Sequence, residues 1–206
     1  MASEDTIHTL LERGDLREVA TLAIEEYGSE IITFLVALLH DETDAKDVFG
    51  QACEDLWRGL PGFEARSSIR TWFYVLARHA ASRFRRAAHR RYERITTLSE
   101  VNEVAERVHT RTRPHLRTEV KDRLISIRAS LSFDDHVLLV LRVDQKLSWN
   151  DIARVLSSDR FGSDEDLSRV TARLRKRFQL VKEELRERAR RAGLLDADAH
   201  RSSPRF

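Results

Sequence analysis

At 206 residues the chain is long for one domain and short for three, and with 41% hydrophobic and 34% charged residues its cores must be narrow amphipathic stripes rather than thick slabs. Only 7 glycines and 3 prolines supply turns, too few for a sandwich or barrel, and the lone cysteine, Cys53, excludes an internal disulfide framework and paired-thiolate zinc sites. The net charge is only +2, yet 31 of the 36 basic residues are arginine, whose planar fork suits phosphate, so an all-α protein with a polyanionic partner is expected.

In chain order, residues 1–14 are assigned to an N-terminal tail. The segment MASEDTIHTLLERGD lacks the marks of a signal peptide, and the longest apolar run, Ile31 to Leu39, covers nine residues of the roughly 20 a bilayer needs. A cytoplasmic protein without membrane insertion is expected. Asp15 to His40 reads as two helices broken near Tyr27-Gly28, the second carrying Ile31, Ile32, Phe34, Leu35, Leu38 and Leu39. From Asp41 to Leu60, Ala45, Val48, Phe49, Ala52, Leu56 and Leu60 fall at helical spacing; Asp41 or Thr43 can cap the start, and Pro61-Gly62 ends it. From Ser67 to Arg86 the apolar face is Ile69, Trp72, Phe73, Leu76, Ala80 and Phe84, which leaves Arg70, Arg78 and Arg85 toward solvent. These elements define a first domain over 15–88.

Periodicity fades over 89–118, which is assigned to a linker, with a helical turn or two possible over Val101 to Val108. A second domain over 119–192 is marked by three serines, each followed three residues later by aspartate: Ser132/Asp135, Ser148/Asp151 and Ser163/Asp166. Such capping boxes predict helices opening at about residues 133, 149 and 164. The first buries Val137, Leu138 and Leu141, the second Ile152, Ala153 and Leu156, and the third Leu167, Val170, Leu174, Phe178, Val181 and Leu185. On the third, Arg169, Ala172, Arg173 and Lys176 lie opposite the apolar stripe, so a basic stripe faces outward. Residues 193–206 are assigned to a C-terminal tail.

Charge follows the same division. Asp41 to Asp55 holds six acids and one lysine, and Arg66 to Arg94 holds nine arginines and one acid. Arg169 to Arg191 holds ten Arg or Lys against three glutamates. Any one such run, taken alone, is a solvated helix face; two of them beside a short helix, a turn and a basic helix favour DNA, with arginine reading guanine and phosphate contacts fixing register.

The run DETDAKDVFGQACEDLWRGLPGF, then SSIRTWFYVLARH followed by RFRR, resembles the core-binding and promoter-melting region of bacterial RNA polymerase sigma factors, particularly the two-domain extracytoplasmic-function class. Residues 131–156, LSFDDHVLLVLRVDQKLSWNDIARVL, resemble the same family's C-terminal helix-turn-helix. The resemblance implies an all-α protein with a region 2-like domain, a linker and a region 4-like domain, which binds core RNA polymerase and promoter DNA, with an anti-sigma factor as a further possible partner. It implies a polymerase-binding face of Asp44, Asp47, Gln51, Glu54 and Arg58. For the upstream duplex edge and melted strand it points to Phe63, Arg66, Ser67, Ser68, Arg70, Arg78, His79, Arg83, Arg85 and Arg86, with Trp72 and Phe73 in the core. The helix-turn-helix contacts would be Ser168, Arg169, Thr171, Ala172, Arg173, Arg175 and Lys176.

Two departures stand out. His79 replaces the asparagine usual in the family, and about seven extra residues separate Leu156 from Val170. That insertion, SSDRFGSDEDLS, places Asp164, Glu165 and Asp166 at the leading end of the basic helix, where they repel phosphate.

No HExxH, glycine-rich phosphate loop or G-x-S-x-G motif is present, so no enzyme, cofactor or metal is expected. The rival readings are a stand-alone helix-turn-helix regulator, distinguished by polymerase binding, and a helical adaptor, distinguished by weak salt dependence of any DNA binding.

Overall fold

The computed structural model describes residues 4–96, 119–158 and 163–194, and every regular element among them is helical. The N-terminal half is α1 (Glu4–Arg13), α2 (Leu16–Leu39), α3 (Glu42–Gly59) and α4 (Ile69–Thr96). The C-terminal half is α5 (Glu119–Ala129), α6 (Phe133–Leu139), a wider π-helical segment over Val140–Asp144, α7 (Trp149–Leu156) and α8 (Asp164–Arg191). The all-α expectation holds.

Three expectations along the N-terminal half are corrected. Residues 4–13 are not a tail: Ile7 and Leu10 are buried, so α1 packs on α2 as part of the core. The supposed break at Tyr27-Gly28 does not exist, because α2 runs unbroken for 24 residues. Gly28 serves packing instead: a Cβ there would stand 3.2 Å from the Phe49 ring, so the glycine lets α3 come close. The assigned linker also begins too early, since α4 continues to Thr96, and the turn expected over Val101 to Val108 lies outside the described residues.

Local chemistry sets the corners. α2 stops at His40, held left-handed at φ 59° with its N–H on the Val36 carbonyl. Asp41 follows as the N-cap of α3, accepting from the backbone N–H groups of Thr43 and Asp44 at 2.8 and 2.9 Å. At the other end of α3, a Cβ on Gly59 would meet the Trp72 ring at 2.9 Å, so only glycine permits that approach of α4. The core between α2, α3 and α4 is aromatic, with Phe34 edge-on to Tyr74 at 5.2 Å and Phe49 against Phe73 at 6.2 Å.

The serine caps open α6, α7 and α8 at Phe133, Trp149 and Asp164, as expected. Only half of the capping-box chemistry forms. Each serine Oγ accepts from the aspartate N–H, at 3.2 Å for Ser132 and Ser148 and 3.3 Å for Ser163. Aspartate is too short to reach back as glutamate does, so Asp135 and Asp151 instead accept the serine hydroxyl proton, both at 2.6 Å. Asp135, itself buried, also accepts from Arg177 Nε of α8 at 2.7 Å, which ties the cap of α6 to the last helix. Trp149 meets Phe178 edge-on at 5.5 Å, closing α7 on α8.

The two halves do not stand apart. α4 packs on α7, α2 packs on the π-helical segment, and buried residues from both halves belong to one continuous apolar core. That explains why Leu139, Val140 and Val155 are buried although no single amphipathic stripe of the second half requires it.

Candidate functional site

On α3 the buried side is Ala45, Val48, Ala52 and Leu56, so Asp47, Gln51, Glu54 and Arg58 form an exposed stripe on the other side. Gln51 Nε2 donates to Glu54 Oε2 and Asp55 Oδ1, both at 3.2 Å, and Arg58 pairs with Glu54 at 2.6 Å. These local bonds stiffen the stripe without covering it. Asp44 is half-buried and lies at one end, in a cleft with Leu39, His40, Phe84, Arg85 and His136. Trp57, which no motif in the sequence singles out, is 50% exposed beside Arg58.

The arginines of α4 are less available than their spacing implies. Arg70 is not directed into solvent: its Nε and Nη2 donate to the two carboxylate oxygens of Glu30 on α2, at 2.6 and 3.0 Å. Arg83 is held by Asp55 of α3. Arg78 is covered by the C-terminal half and donates to Asp134 at 2.8 Å, while His79 Nε2 lies 2.7 Å from Ser158 Oγ. Arg66, Arg85 and Arg86 are exposed, Arg66 paired with Glu64 and Arg85 lying 4.7 Å over the Phe133 ring. Ser67 is half-buried, and Ser68 has a structural duty, because its Oγ accepts the Thr71 N–H at 3.1 Å and so caps α4.

Between the 63–68 loop and α4 is a cleft of about 270 Å3 lined by Phe63, Arg66, Trp72, Val75, Leu76 and His79, with Ser158 at its edge. Phe63 stacks at a tilt on Trp72 at 4.7 Å, giving an aromatic wall beside a guanidinium. Phe73 is fully buried, whereas Trp72 is only partly so and faces this cleft.

On α8, Ser168, Arg169, Ala172, Arg173, Arg175 and Lys176 are exposed. Thr171 is not: it is buried and donates to Asn150 Oδ1 of α7 at 3.3 Å, so it fixes the angle between the helices and is removed from the contact set. Arg169 is occupied by Glu165 at 3.3 Å and Asp166 at 3.5 Å, both from the acidic leading end. Arg175 lies 6.0 Å over the Trp149 ring. Arg173 and Lys176 make no ion pair among the described residues and are the most available cations of the set.

Cys53 is half-buried, and burial pushes its thiol up to about 11, away from the thiolate form. No group of three or more His, Cys, Asp or Glu side chains among the described residues is placed to hold a metal. No described helix is long and apolar enough to cross a membrane.

An acidic stripe, an arginine-rich helix beside an aromatic cleft, and a short helix, turn and long basic helix define a DNA-binding transcription protein. Residues 23–91 match the model for sigma-70 region 2. The RNA polymerase sigma factor YlaC of Bacillus subtilis (strain 168) is 28% identical over 163 residues, 78% of this chain and 92% of that protein. The RNA polymerase sigma-H factor of Pseudomonas aeruginosa is 30% identical over 152 residues, 71% of this chain and 78% of that protein. The chain belongs to the bacterial RNA polymerase sigma factors, of the extracytoplasmic-function-like kind, and its function is in transcription initiation.

Proposed function

We propose that the α3 stripe of Asp47, Gln51, Glu54 and Arg58, with Asp44 at its end, docks on core RNA polymerase. In this reading the 63–68 loop and α4 hold the melted promoter strand, and α8 reads duplex DNA through Arg173, Arg175 and Lys176. The carrying observation is the orientation of α3: its stripe faces away from the core and is buttressed by neighbours on the same helix. A surface used for docking must be both exposed and held in shape, and this one is both.

Strand separation needs a place for unstacked bases, and the Phe63–Trp72 wall beside Arg66 offers a π-face and a cation together. The protein does no covalent chemistry in this scheme; the polymerase supplies it. The site of action is the cytoplasm, and an anti-sigma protein would act by occupying either face. The domain limits that follow are α1–α4 for polymerase and melted strand and α5–α8 for duplex.

The test is co-migration of the full chain with bacterial core RNA polymerase on a sizing column, beside an Asp47→Arg, Gln51→Arg variant. Reversing charge in the stripe is expected to abolish co-migration while the circular dichroism stays helical. Co-migration of both proteins would sink the proposed interface. Failure of the unaltered chain to co-migrate would turn the assignment toward a regulator that acts on DNA alone.

A further inference from the structure

Three cations of the C-terminal half are held by aromatic rings rather than by carboxylates. The Arg142 guanidinium, from the π-helical segment, lies 4.8 Å over the Trp149 ring, and Arg175 of α8 lies 6.0 Å over the same ring. Further along α8, the Lys182 ammonium lies 5.4 Å over Phe178, the ring that meets Trp149 edge-on. None of the three makes an ion pair among the described residues. Arg175 and Lys182 are about two turns apart and share one side of α8, next to the face from which Thr171 reaches Asn150 of α7. The basic surface of α8 therefore continues past Lys176 and around the start of α7.

The acids that flank Trp149 in sequence are committed elsewhere. Asp144 pairs with Arg128 at 2.9 Å, and Asp151 accepts from Ser148 and from Thr71 of α4. A ring does not cancel a positive charge as a carboxylate does, and a guanidinium lying over one keeps N–H donors for another acceptor. Arg142 uses Nη1 on the Leu147 carbonyl at 2.8 Å, which pins it to the turn before α7. In that turn Lys146 is exposed and left-handed at φ 55°, a conformation that glycine adopts with less strain, so a further positive charge is kept there against backbone preference.

We propose that Arg142, Arg175 and Lys182, braced on Trp149 and Phe178, form a phosphate clamp that grips the backbone of duplex DNA beside the groove that α8 enters. The inference rests on the assignment of α8 to duplex DNA, and it adds Arg142 and Lys182, which no motif in the sequence singles out. Trp149 and Phe178 are covered by these cations and by each other, so they act as braces and not as stacking platforms for unpaired bases. That favours the backbone of a duplex over a single strand. Side-chain stems already fixed on rings have less freedom to lose when the charge meets a phosphate. Such a grip sets the register of α8 and carries no sequence information itself.

The experiment follows binding of a fluorescent mixed-sequence DNA duplex to the full chain by anisotropy across a salt titration. Arg142→Gln with Lys182→Gln is expected to weaken binding by about tenfold at low salt and to flatten the salt slope by about 1.8, as for two phosphate contacts. The loss should be equal on a second duplex of unrelated sequence, because a backbone contact does not read bases. Lys182→Gln alone removes a side chain tip that holds no ion pair, so the fold should be untouched and the slope should change by about 0.9. Arg142→Lys with Lys182→Arg keeps both charges and should keep the slope.

An unchanged slope in both glutamine variants, with Arg173→Glu and Lys176→Glu still weakening duplex binding, would overturn the clamp and leave the assignment of α8 standing. A loss confined to one duplex would overturn it as well, since the residues would then read bases. Loss of co-migration with core RNA polymerase at full duplex affinity would give the patch to an acidic protein surface instead. If the unaltered chain bound no duplex, or the α8 pair left binding unchanged, the assignment of α8 would fall, and the clamp with it.

Discussion

α4 and α8 are both 28 residues long and both rich in arginine, yet they use their charge differently. On α4, Arg70, Arg78 and Arg83 each reach a carboxylate on another element, at Glu30, Asp134 and Asp55. On α8, Arg169, Arg188 and Arg191 pair with glutamates one turn away on the same helix, and Arg173 and Lys176 face solvent. The first pattern ties distant parts of the chain together. The second leaves a helix free to present itself to a partner. Arginine content alone does not identify a nucleic-acid face; what matters is whether the guanidinium must leave a carboxylate before it can take a phosphate.

If the cross-element pairing of α4 reflects one shared core, removing a central ring should unsettle both halves at once. Phe34→Ala deletes a fully buried ring packed on Tyr74 and should cost about 3–5 kcal/mol. Urea denaturation followed by circular dichroism should show a single transition at a lower midpoint. A surviving second transition from the α5–α8 helices would show that the halves fold separately.

The presented face of α8 gives the opposite expectation. Arg173→Glu with Lys176→Glu should weaken duplex DNA binding by about 10–100-fold and flatten the salt slope by about 1.8, two phosphate contacts' worth. The denaturation midpoint should hardly move, because neither side chain pairs with another described residue. Arg70→Ala on α4 should do the reverse, lowering stability by about 1 kcal/mol through loss of the two-pronged contact with Glu30.

Asp135 joins the two patterns, since it supports the α6 cap and accepts from Arg177 of α8. Asp135→Ala should cost about 1–2 kcal/mol in the same denaturation assay. The Arg177 guanidinium, opposed in part by burial and aided by Ser132, holds this carboxyl below its usual 3.8. Its folded value is lowered, so its contribution is complete above the unfolded value and is lost as pH falls through the folded one. An acid titration of the midpoint with and without Asp135→Ala should therefore converge only in strong acid.

The elements are legible in the sequence where the signal is local. The serine caps locate the starts of α6, α7 and α8 because a cap is read from two residues three apart. The cap at Ser68 escapes that reading, since a threonine at the third position does not mark a capping box, and the serine looks instead like a DNA contact. Thr71 and Thr171 look like surface polar residues in sequence, and only the approach of α7 to α4 and α8 buries them. The α3 stripe is legible because its exposed and buried sides alternate within one helix. The contacts between α4 and the C-terminal half are not, because Asp134, Gln145 and Asp151 find their partners 56 to 80 positions away.

A buried histidine packed between the two halves gives the smallest of the expected effects. His136 of α6 stacks on His40 at 5.2 Å, and its Nε2 is buried without a hydrogen-bond partner among the described residues. Burial, then the neighbouring charges of His40, Arg128 and Arg85, push the imidazole from 6.5 down to about 4; Asp44 lines the same cleft. The folded value lies below the unfolded one, so the unfolded chain binds the proton more readily, and stability is complete above about pH 6.5. Acidification from there toward the folded value removes it, by about 1 kcal/mol near pH 5.5. Hydrogen exchange at the α6 amides should accelerate over the same interval, and His136→Phe, which keeps the stacked ring and removes the proton site, should abolish the dependence. If the variant kept the full acid sensitivity, His136 would not be its source, and the glutamates and other histidines would have to carry it.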